Sequence, residues 1–533
     1  MPTESSEQLP VKVSGSSTFG VWPKISLEKT YNMYISDNWL IGFPGYKKVA
    51  LDGLPGEGRS IFRSVRGNFF LVVAGSAVYR LSPSLAVEFV GTLATSTGEV
   101  FIDENYAHQI CLVDGLKAYI YNYTNVGGIL TPQTLVDGSI GGGPIVPNYV
   151  AFHASFFLIA SAIGSLNSQQ WYVFKTDGSD NNKIIWRATQ TISTKPDEAI
   201  AVRRVPGRSN NVIVFGRSVS EIHTFINPTE SSPDIYTKVS SYNIDNGCIS
   251  VSTIAASEDS VAWLAVNESN SPVIMVTNGA ETRQISTDGI DHVMEQIKFP
   301  EQSTAFFSRE NGHLFYRLTF FNPADNLSLA YDFTNNQFFH VSDENLNYHI
   351  ARDVIYFNNT SYFVSLKDAA VYETGDKYTT YSYSELNTDV GEIIPRIRIC
   401  NVLRKKDSST FRCGMFTFWI EQGVNDFFDA GECDGEMITE ITEQLIVSES
   451  GFTLLAEDGF CPPEPNTPRV DMAVSKNGNE SFSNFVSRDL QPMAHFRNQI
   501  RWHRIGQANE LTIQLRFWNF QRMVCTDGIA ECY

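Results

Sequence analysis

Five carboxylates crowd into eleven residues in the last quarter of the chain: Asp426, Asp429, Glu432, Asp434 and Glu436. Such a density of oxygens suits calcium, which takes about six to eight oxygen ligands. The spacing does not match an EF-hand loop, which needs acids at alternate positions around a fixed glycine. Three interpretations stay open: a solvated acidic loop, a docking surface for a basic partner, and a calcium site.

The nine histidines are scattered, and none has the HExxH spacing or another metal-ligand pattern. His503 alternates with Trp502 along a predicted strand, which is typical of a surface side chain. Neither G-x-S-x-G nor GxxxxGK[ST] occurs, and the glycines at 141–143 lack the strand-to-helix context of a phosphate loop. The sequence therefore predicts no catalytic residue, no cofactor, no cofactor-binding residue and no metal ligand.

A basic stretch precedes the acidic one. Residues 395–412 contain a single acid, Asp407, and six basic residues: Arg396, Arg398, Arg404, Lys405, Lys406 and Arg412. Residues 421–464 then hold twelve Asp or Glu and no Lys or Arg. Opposite charges of this kind give steering and register to an interface. We therefore expect the two stretches to meet across neighbouring subunits.

Eight cysteines in 533 residues are too few for a disulfide scaffold, and no CxxC pattern occurs. Reduced thiols and synthesis in a cytoplasm are the simplest interpretation, with a local bridge from Cys400 to Cys461 as the alternative. The first fifteen residues lack the charged and apolar regions of a secretory signal. No apolar run reaches 18 residues, so we predict no stable membrane insertion.

The net charge of −19 argues against a protein that grips nucleic acid through its phosphates, because that needs a basic surface. It is compatible with a wall that lets DNA pass, since like charge repels the duplex. Phe (36) and Tyr (22) are abundant, and aromatic side chains favour strands. Composition therefore predicts a mostly β protein.

Short apolar runs separated by tight turns begin near residue 58. Asp114-Gly115, Asn278-Gly279 and Asn311-Gly312 each stand between two such runs, which is a strong hairpin signal. The best helical candidate is short, at residues 292–298. Groups of three or four strands recur every 40 to 50 residues or so, a period that fits propeller blades but also a pair of β-sandwiches.

We predict an all-β fold: a β-propeller of six or seven blades and a second, C-terminal, β-sandwich-like domain. The predicted segments are an N-terminal extended arm at 1–30, a propeller hub at 31–385, and a C-terminal β domain at 386–533 with an acidic excursion at 421–464. The arm is polar, and we expect it to pack against a neighbouring subunit or domain.

Three parts of the chain together resemble the packaged-DNA stabilisation, or tail hub (nozzle), proteins of short-tailed bacteriophages. They are YNMY at 31–34 with GFPG at 42–45; VFGRSVSEIHTF at 214–225; and the Asp-box-like turn at 475–482 with RWHRIG at 501–506 and LTIQLRFW at 511–518. The length, the acidic excursion and the residues after Trp518 depart from the family pattern.

The resemblance implies a structural, non-enzymatic virion protein of the phage tail, made in the host cytoplasm. Six copies would form a ring below the portal and adaptor, continue the DNA channel, retain packaged DNA and pass it during ejection. The implied partners are portal–adaptor proteins, tail spikes or fibres, a needle or plug, and double-stranded DNA without sequence-specific binding. The alternatives are a propeller glycosidase or depolymerase acting on host polysaccharide, and a non-viral ligand-binding propeller.

Overall fold

The computed structural model describes residues 7–15, 28–51, 54–124, 128–165, 167–226, 235–266, 271–385, 391–422, 469–478, 480–489, 497–518 and 523–533. The chain forms two compact units. The propeller unit is Ser16–Asn32 with Pro44–Glu392, and the terminal unit is Met1–Gly15 with Met33–Phe43 and Ile393–Tyr533. These bounds differ from those of the three segments above, whose division stays a prediction.

Five short strands come first along the chain. They are β1 (Glu7–Val11), β2 (Lys29–Tyr31), β3 (Met33–Ser36), β4 (Trp39–Gly42) and β5 (Tyr46–Lys48). β2 and β5 belong to the propeller unit, and the others to the terminal unit.

Seven sheets follow in the described part of the propeller unit, and we number them as blades. Blade 1 is β6 (Gly58–Arg63), β7 (Phe70–Ala74), β8 (Ala77–Leu81) and β9 (Val87–Thr92); blade 2 is β10 (Phe101–Glu104), β11 (Gln109–Val113), β12 (Ala118–Asn122) and β13 (Leu130–Gln133). Blade 3 is β14 (Pro147–His153), β15 (Phe156–Ser161), β16 (Gln170–Thr176) and β17 (Ile184–Thr191); blade 4 is β18 (Ala201–Arg204), β19 (Asn211–Phe215), β20 (Ser220–Phe225) and β21 (Tyr236–Ile244).

The inner strand of blade 5 is interrupted by a 3-10 turn at Val251–Thr253. Blade 5 is β22 (Gly247–Cys248), β23 (Ala255–Ala256), β24 (Val261–Val266), β25 (Pro272–Thr277) and β26 (Thr282–Gln284). Blade 6 is β27 (Ser303–Glu310), β28 (His313–Phe320), β29 (Leu327–Asp332) and β30 (Gln337–His340). Blade 7 is β31 (Ala351–Phe357), β32 (Thr360–Ser365), β33 (Val371–Thr374) and β5. The predicted all-β propeller is confirmed.

Apolar residues pack each blade on its neighbour, because central strands such as β7 and β11 are buried on both faces. Continuous clusters join blade 1 to 2, blade 2 to 3, blades 3 to 5, and blade 5 to 6. Blade 7 packs back on blade 1, where Phe70 stacks on Tyr362 with ring centroids 5.6 Å apart. Between blades 6 and 7, the Thr304 hydroxyl donates to the Arg352 carbonyl at 3.2 Å, so the blades form a closed ring.

The outer strand of blade 7 comes from the beginning of the chain. β5 pairs antiparallel with β33, with Tyr46 opposite Thr374 and Lys48 opposite Tyr372. The Tyr46 ring is buried and stacks on Tyr381 at 4.3 Å. β34 (Thr380–Ser382) then pairs parallel with β5 on its other edge. An early segment is thus held between two late ones.

The hairpins predicted at Asp114-Gly115, Asn278-Gly279 and Asn311-Gly312 are all present. Asn311 and Gly312 both have positive φ, 48° and 87°, as a tight hairpin turn requires. The Asp114 carboxylate accepts bonds from the N–H groups of Leu116 (3.0 Å) and Lys117 (2.7 Å). Local turn chemistry therefore sets these connections.

The predicted helix was wrong in its bounds: α1 is Asp288–Met294 rather than 292–298. It begins after Thr287, and Asp288 and Asp291 lie in its first turn, where the helix dipole favours negative charge. Ile290 and Met294 anchor it in the core shared by blades 5 and 6.

The terminal unit holds the remaining long strands. After β35 (Glu392–Ile393) they are β36 (Arg396–Ile399), β37 (Phe411–Gln422), β38 (Arg469–Ser475), β39 (Val486–Asp489), β40 (Arg497–Ala508), β41 (Thr512–Trp518) and β42 (Met523–Cys532). One sheet has the order β3-β4-β42-β37-β40 with β1 also on β42; the other strands pair as β36-β41-β38-β39. Phe418 of β37 contacts Phe517 of β41 at 6.3 Å, so the two strand groups face each other.

The predicted arm contributes β1 to this sheet. Residues Glu7 to Val11 pair antiparallel with β42, from Glu7 opposite Cys532 to Val11 opposite Gly528. Ser14 extends the attachment, since its N–H and hydroxyl both donate to Asp527, at 2.9 and 2.7 Å. The described part of the arm is therefore bound within its own chain.

Candidate functional site

The inner strands of the blades bring five charged side chains together at the axis of the propeller. They are Glu99, just before β10; Asp103 on β10; Arg203 on β18; and Arg352 and Asp353 on β31. We call these five residues the axial layer. They come from three blades and lie up to 254 positions apart in the chain (99 to 353).

Direct contacts and charge join the members of the axial layer. Arg352 faces Glu99 at 3.7 Å, and Arg203 donates to the Tyr149 hydroxyl of blade 3 at 3.4 Å. The positive charge of Arg203 also acts on the carboxyls of Asp103 and Asp353. Side chains from blades 2, 4 and 7 are therefore within electrostatic reach of one another across the ring.

Burial is the main influence on the carboxyls of the axial layer. Burial raises the pKa values of Glu99 and Asp103, and the nearby arginines offset this only in part. Burial and the charge of Glu99 raise the pKa of Asp353 to about 7, against the bonds and arginines that favour its ionised form. This site can hold or release a proton near neutral pH.

A cavity of about 420 Å³ opens beside this layer, between blades 1 to 5. Its wall includes Asp103, Glu104, Tyr106, Phe152 and Arg204. Both carboxylates are engaged: Asp103 accepts from the N–H of Phe152 at 2.7 Å, and Glu104 accepts from the N–H of Val65 at 2.6 Å. Each bond ties blade 2 to a neighbouring blade, so the pair acts as a structural link.

Glu221, in blade 4, is a second buried carboxylate with many partners. It accepts from the N–H groups of Ser193 (3.0 Å) and Thr194 (2.6 Å), and from the Thr194 hydroxyl (2.5 Å). His223 Nε2 donates at 2.9 Å, and Lys238 Nζ lies 3.5 Å away. Burial opposes the charge, but these donors outweigh it and lower the pKa of Glu221 to about 2.

A larger cavity of about 730 Å³ lies between blades 6 and 7. Its wall contains the ion pair of Glu310 with Arg317, and burial raises the pKa of Glu310. His349 also lines it; burial and the charges of Arg317 and Lys367 hold its pKa well below the usual range. The cavity thus offers an ion pair and a neutral imidazole.

The predicted basic stretch is only partly a surface feature. Arg396 and Arg398 are buried and donate to the backbone carbonyls of Phe43 (3.1 Å) and Lys12 (2.9 Å). The expectation that the whole stretch steers a partner was therefore wrong for these two residues, because they satisfy carbonyl groups inside the terminal unit. Arg404 is exposed and pairs with Glu510 at 2.6 Å. The residues left for a partner are Arg404 to Lys406 and Arg412.

The acidic cluster from Asp426 to Glu436 lies outside the described residues, as does Cys461 of the suggested bridge to Cys400. Among the described residues, no group of three or more His, Cys, Asp or Glu is arranged to hold a metal ion. Nor does this part of the chain contain a helix with the length and apolar character needed to cross a bilayer.

The Asp-box-like turn is a hairpin between β38 and β39. Asn477 organises it: its side chain accepts from Ser475 Oγ at 2.8 Å and donates to Ser481 Oγ at 2.9 Å. His503 is exposed, as predicted, beside the buried Trp502. Both motifs thus have structural roles.

The sequence reasoning missed the axial layer and the Glu221 site. Their local signal is a charged residue inside an otherwise apolar strand, as in VFIDEN at 100–105 and ARDVIYF at 351–357. That signal marks a buried or inward-facing charge. It does not say which distant charge completes the site.

A closed ring of mostly four-stranded blades defines a β-propeller. The model of one propeller family, described as "Bacteriophage P22 Gp10, beta-propeller", matches residues 24–376, and the chain belongs to this family of phage structural proteins. The resemblance noted in the sequence is therefore confirmed. None of the curated proteins matches the chain.

Several solved propellers are similar in outline. A streptogramin B lyase is 8% identical with a TM-score of 0.39, and virginiamycin B lyase from Staphylococcus aureus is 11% identical with a TM-score of 0.40. Each match covers 62% of this chain and 98% of the other. The N-terminal domain of Nup159 is 10% identical with a TM-score of 0.36, over 65% of this chain and 98% of that one. Similarity at this level says nothing about function.

Proposed function

We propose that this protein is a tail hub, or nozzle, subunit of a short-tailed phage virion. In this role it continues the DNA channel below the portal and adaptor, retains the packaged DNA and passes it during ejection. It also anchors the tail spikes or fibres. The observation that carries the proposal is the family match over residues 24–376, across the propeller.

The axial layer bears on the path of the DNA. Charged side chains from blades 2, 4 and 7 interact across the axis of the propeller. Arg352 and Glu99 lie only 3.7 Å apart there, so the axial layer leaves no space between these side chains for a duplex. DNA would pass between copies of the chain, and this requires a closed ring of subunits. The family resemblance implies six.

The charge of the chain supports passage without binding. A net charge of −19 repels phosphates and lowers the residence of DNA on the wall. Arg404, Lys405 and Lys406 lie at least partly exposed in the terminal unit, where they can contact another protein. We propose that it docks on an acidic surface of a neighbouring subunit, where charge gives steering and register.

The test is the mass of the untagged protein in solution, alone and mixed with the portal–adaptor complex of its virion. We expect a ring of about six copies to form on the adaptor, because closed rings need a template or a matching rotation. A protein that stays monomeric in the mixture would contradict the proposal. Turnover of a host glycan would then support the depolymerase alternative.

Charge reversal of Arg404, Lys405 and Lys406 to Glu should impair this assembly. The matched control reverses Lys117, Lys175 and Lys183, which lie in blades 2 and 3 and change the net charge equally. Normal rings from the first variant would show that the cluster is not an interface. Equal loss in both would assign the effect to net charge alone.

A further inference from the structure

Two cysteines of the terminal unit lie directly opposite each other on adjacent antiparallel strands. Cys413 of β37 is the register partner of Cys532 of β42. The neighbouring pair, Arg412 and Tyr533, exchanges both backbone hydrogen bonds, at 3.1 and 3.0 Å. Since the two kinds of pair alternate along an antiparallel ladder, Cys413 and Cys532 form a non-hydrogen-bonded pair.

That geometry suits a covalent link. Residues in a non-hydrogen-bonded pair have Cα atoms about 4.5 Å apart, with their side chains closer than in the alternate pair. Disulfides span Cα separations of about 4.4–6.8 Å. The two thiols lie close enough to act on each other, and both side chains are fully buried. Both are reduced in this structure.

A β-bulge holds the register of the pair. Gly414 is the extra residue between the pairs Cys413–Cys532 and Met415–Glu531. A Cβ atom at this glycine would lie 2.8 Å from the ring of Tyr533. This close contact favours glycine at the bulge, which lies directly beside the Cys413–Cys532 pair.

We propose that Cys413 and Cys532 are a site of reversible disulfide formation that joins β42 to β37. Two S–H bonds break and one S–S bond forms, and two protons and two electrons pass to an oxidant. Dioxygen is such an oxidant and leaves as hydrogen peroxide. The thiols stay reduced in a reducing cytoplasm and oxidise outside it. The inference does not depend on the proposed function.

The consequence concerns the sheet around β42, which pairs with β37 on one edge and with β1 and β4 on the other. A bond between residues 413 and 532 closes a long loop and restricts the unfolded chain. Oxidation should therefore stabilise the strand that holds the N-terminal arm.

The test treats the folded, full-length protein with diazenedicarboxamide, which takes up the two electrons and two protons. Free thiols are then alkylated, and trypsin, chymotrypsin and Asp-N isolate Cys413 in residues 413–416 and Cys532 in 527–533. We expect these two peptides to be joined in most molecules. Thermal unfolding should move to higher temperature on oxidation and return after reduction.

Cys413→Ser and Cys532→Ser should each abolish the link and the thermal shift. Cys111→Ser is the matched control: Cys111 is buried in blade 2, and this variant should keep both effects. The wild-type protein alone can overturn the proposal, whether or not the variants fold. That result would be alkylated Cys413 and Cys532 after oxidation, or either cysteine joined to Cys400 or Cys525.

Discussion

Glu221 in blade 4 is fully buried and has a pKa of about 2, whereas Asp353 in the axial layer is less buried and has a pKa of about 7. Burial pushes both pKa values upward, and the groups that face each carboxyl decide how far that push is opposed. Glu221 accepts four hydrogen bonds, from Ser193, Thr194 and His223. Asp353 accepts from the N–H of Val354 at 2.7 Å and lies near the like charge of Glu99.

The difference teaches that hydrogen-bond donors, weighed against burial, decide whether this propeller keeps a buried carboxylate ionised. Around Glu221, two backbone N–H groups are fixed by the chain and point at the carboxylate before it ionises. In the axial layer, three carboxyls share two arginines: Arg352 lies 3.7 Å from Glu99, and Arg203 acts on Asp103 and Asp353 through its charge. The Glu221 site therefore stabilises an ionised carboxylate, whereas in the axial layer burial disfavours the ionised form of the carboxyls.

The largest effect should come from Glu221→Ala. The change leaves the donors of Ser193, Thr194 and His223 buried without an acceptor, and should lower the free energy of unfolding by about 3–5 kcal/mol. Urea unfolding at neutral pH measures it. The control is Glu88→Ala, whose pair with Arg80 is exposed and should contribute less than about 1 kcal/mol. Equal losses of stability in the two variants would show that the buried Glu221 contributes no more than an exposed carboxylate.

An intermediate effect should follow from the raised pKa of Asp353. A carboxyl whose pKa rises from 3.8 to about 7 on folding stabilises the fold at low pH, and that contribution is lost as pH rises towards 7. The free energy of unfolding of Asp353→Asn should therefore exceed that of the wild type by about 2–4 kcal/mol at about pH 8. At about pH 4 the difference should be much smaller. Unfolding curves at the two pH values compare them. A constant difference would mean that Asp353 does not titrate in this range.

The opposite sign applies to Glu221, since its pKa is lowered from 4.5 to about 2. Its contribution is present above about pH 4.5 and is lost as pH falls towards 2. In Glu221→Ala, the acid limb of the pH–stability curve should accordingly be flatter. The two sites thus limit stability from opposite ends of the pH scale.

The smallest effect should come from Lys238→Met. Lys238 is partly exposed and lies 3.5 Å from Glu221, so its removal should lower the free energy of unfolding by about 1 kcal/mol or less. The same urea measurement serves here. A loss as large as that of Glu221→Ala would show that the cation, not the neutral donors, keeps Glu221 ionised.

Much of the propeller could be predicted because its signals are local. Asp114-Gly115 and Asn311-Gly312 define their hairpins through φ values and side-chain bonds within a few residues. The origin of blade 7 could not be predicted in this way. The strand Tyr46–Lys48 is three residues long, and only its partner 326 residues later makes it part of a blade.

The charged sites show a second limit. Arg396 and Arg398 alternate with Ile397 and Ile399, a pattern typical of a strand with one wet face. In the structure both arginines are buried, because backbone carbonyls from distant segments accept their bonds. Alternation identifies two faces of a strand, but not what covers each. The axial layer could not be predicted for the same reason, because the sequence does not show which distant segments face its charged side chains.

The pairing of β5 with β33 has a consequence for synthesis. A ribosome adding about 5–20 residues per second needs tens of seconds to travel from Tyr46 to Thr374. During that time blade 1 already exists, but the strand that completes blade 7 has no partner. The nascent ring must stay open, with apolar faces of blade 1 uncovered, until the last blade emerges. Chaperone demand and loss to aggregation should therefore concentrate in this interval, and a chain truncated before residue 371 should not form a stable product.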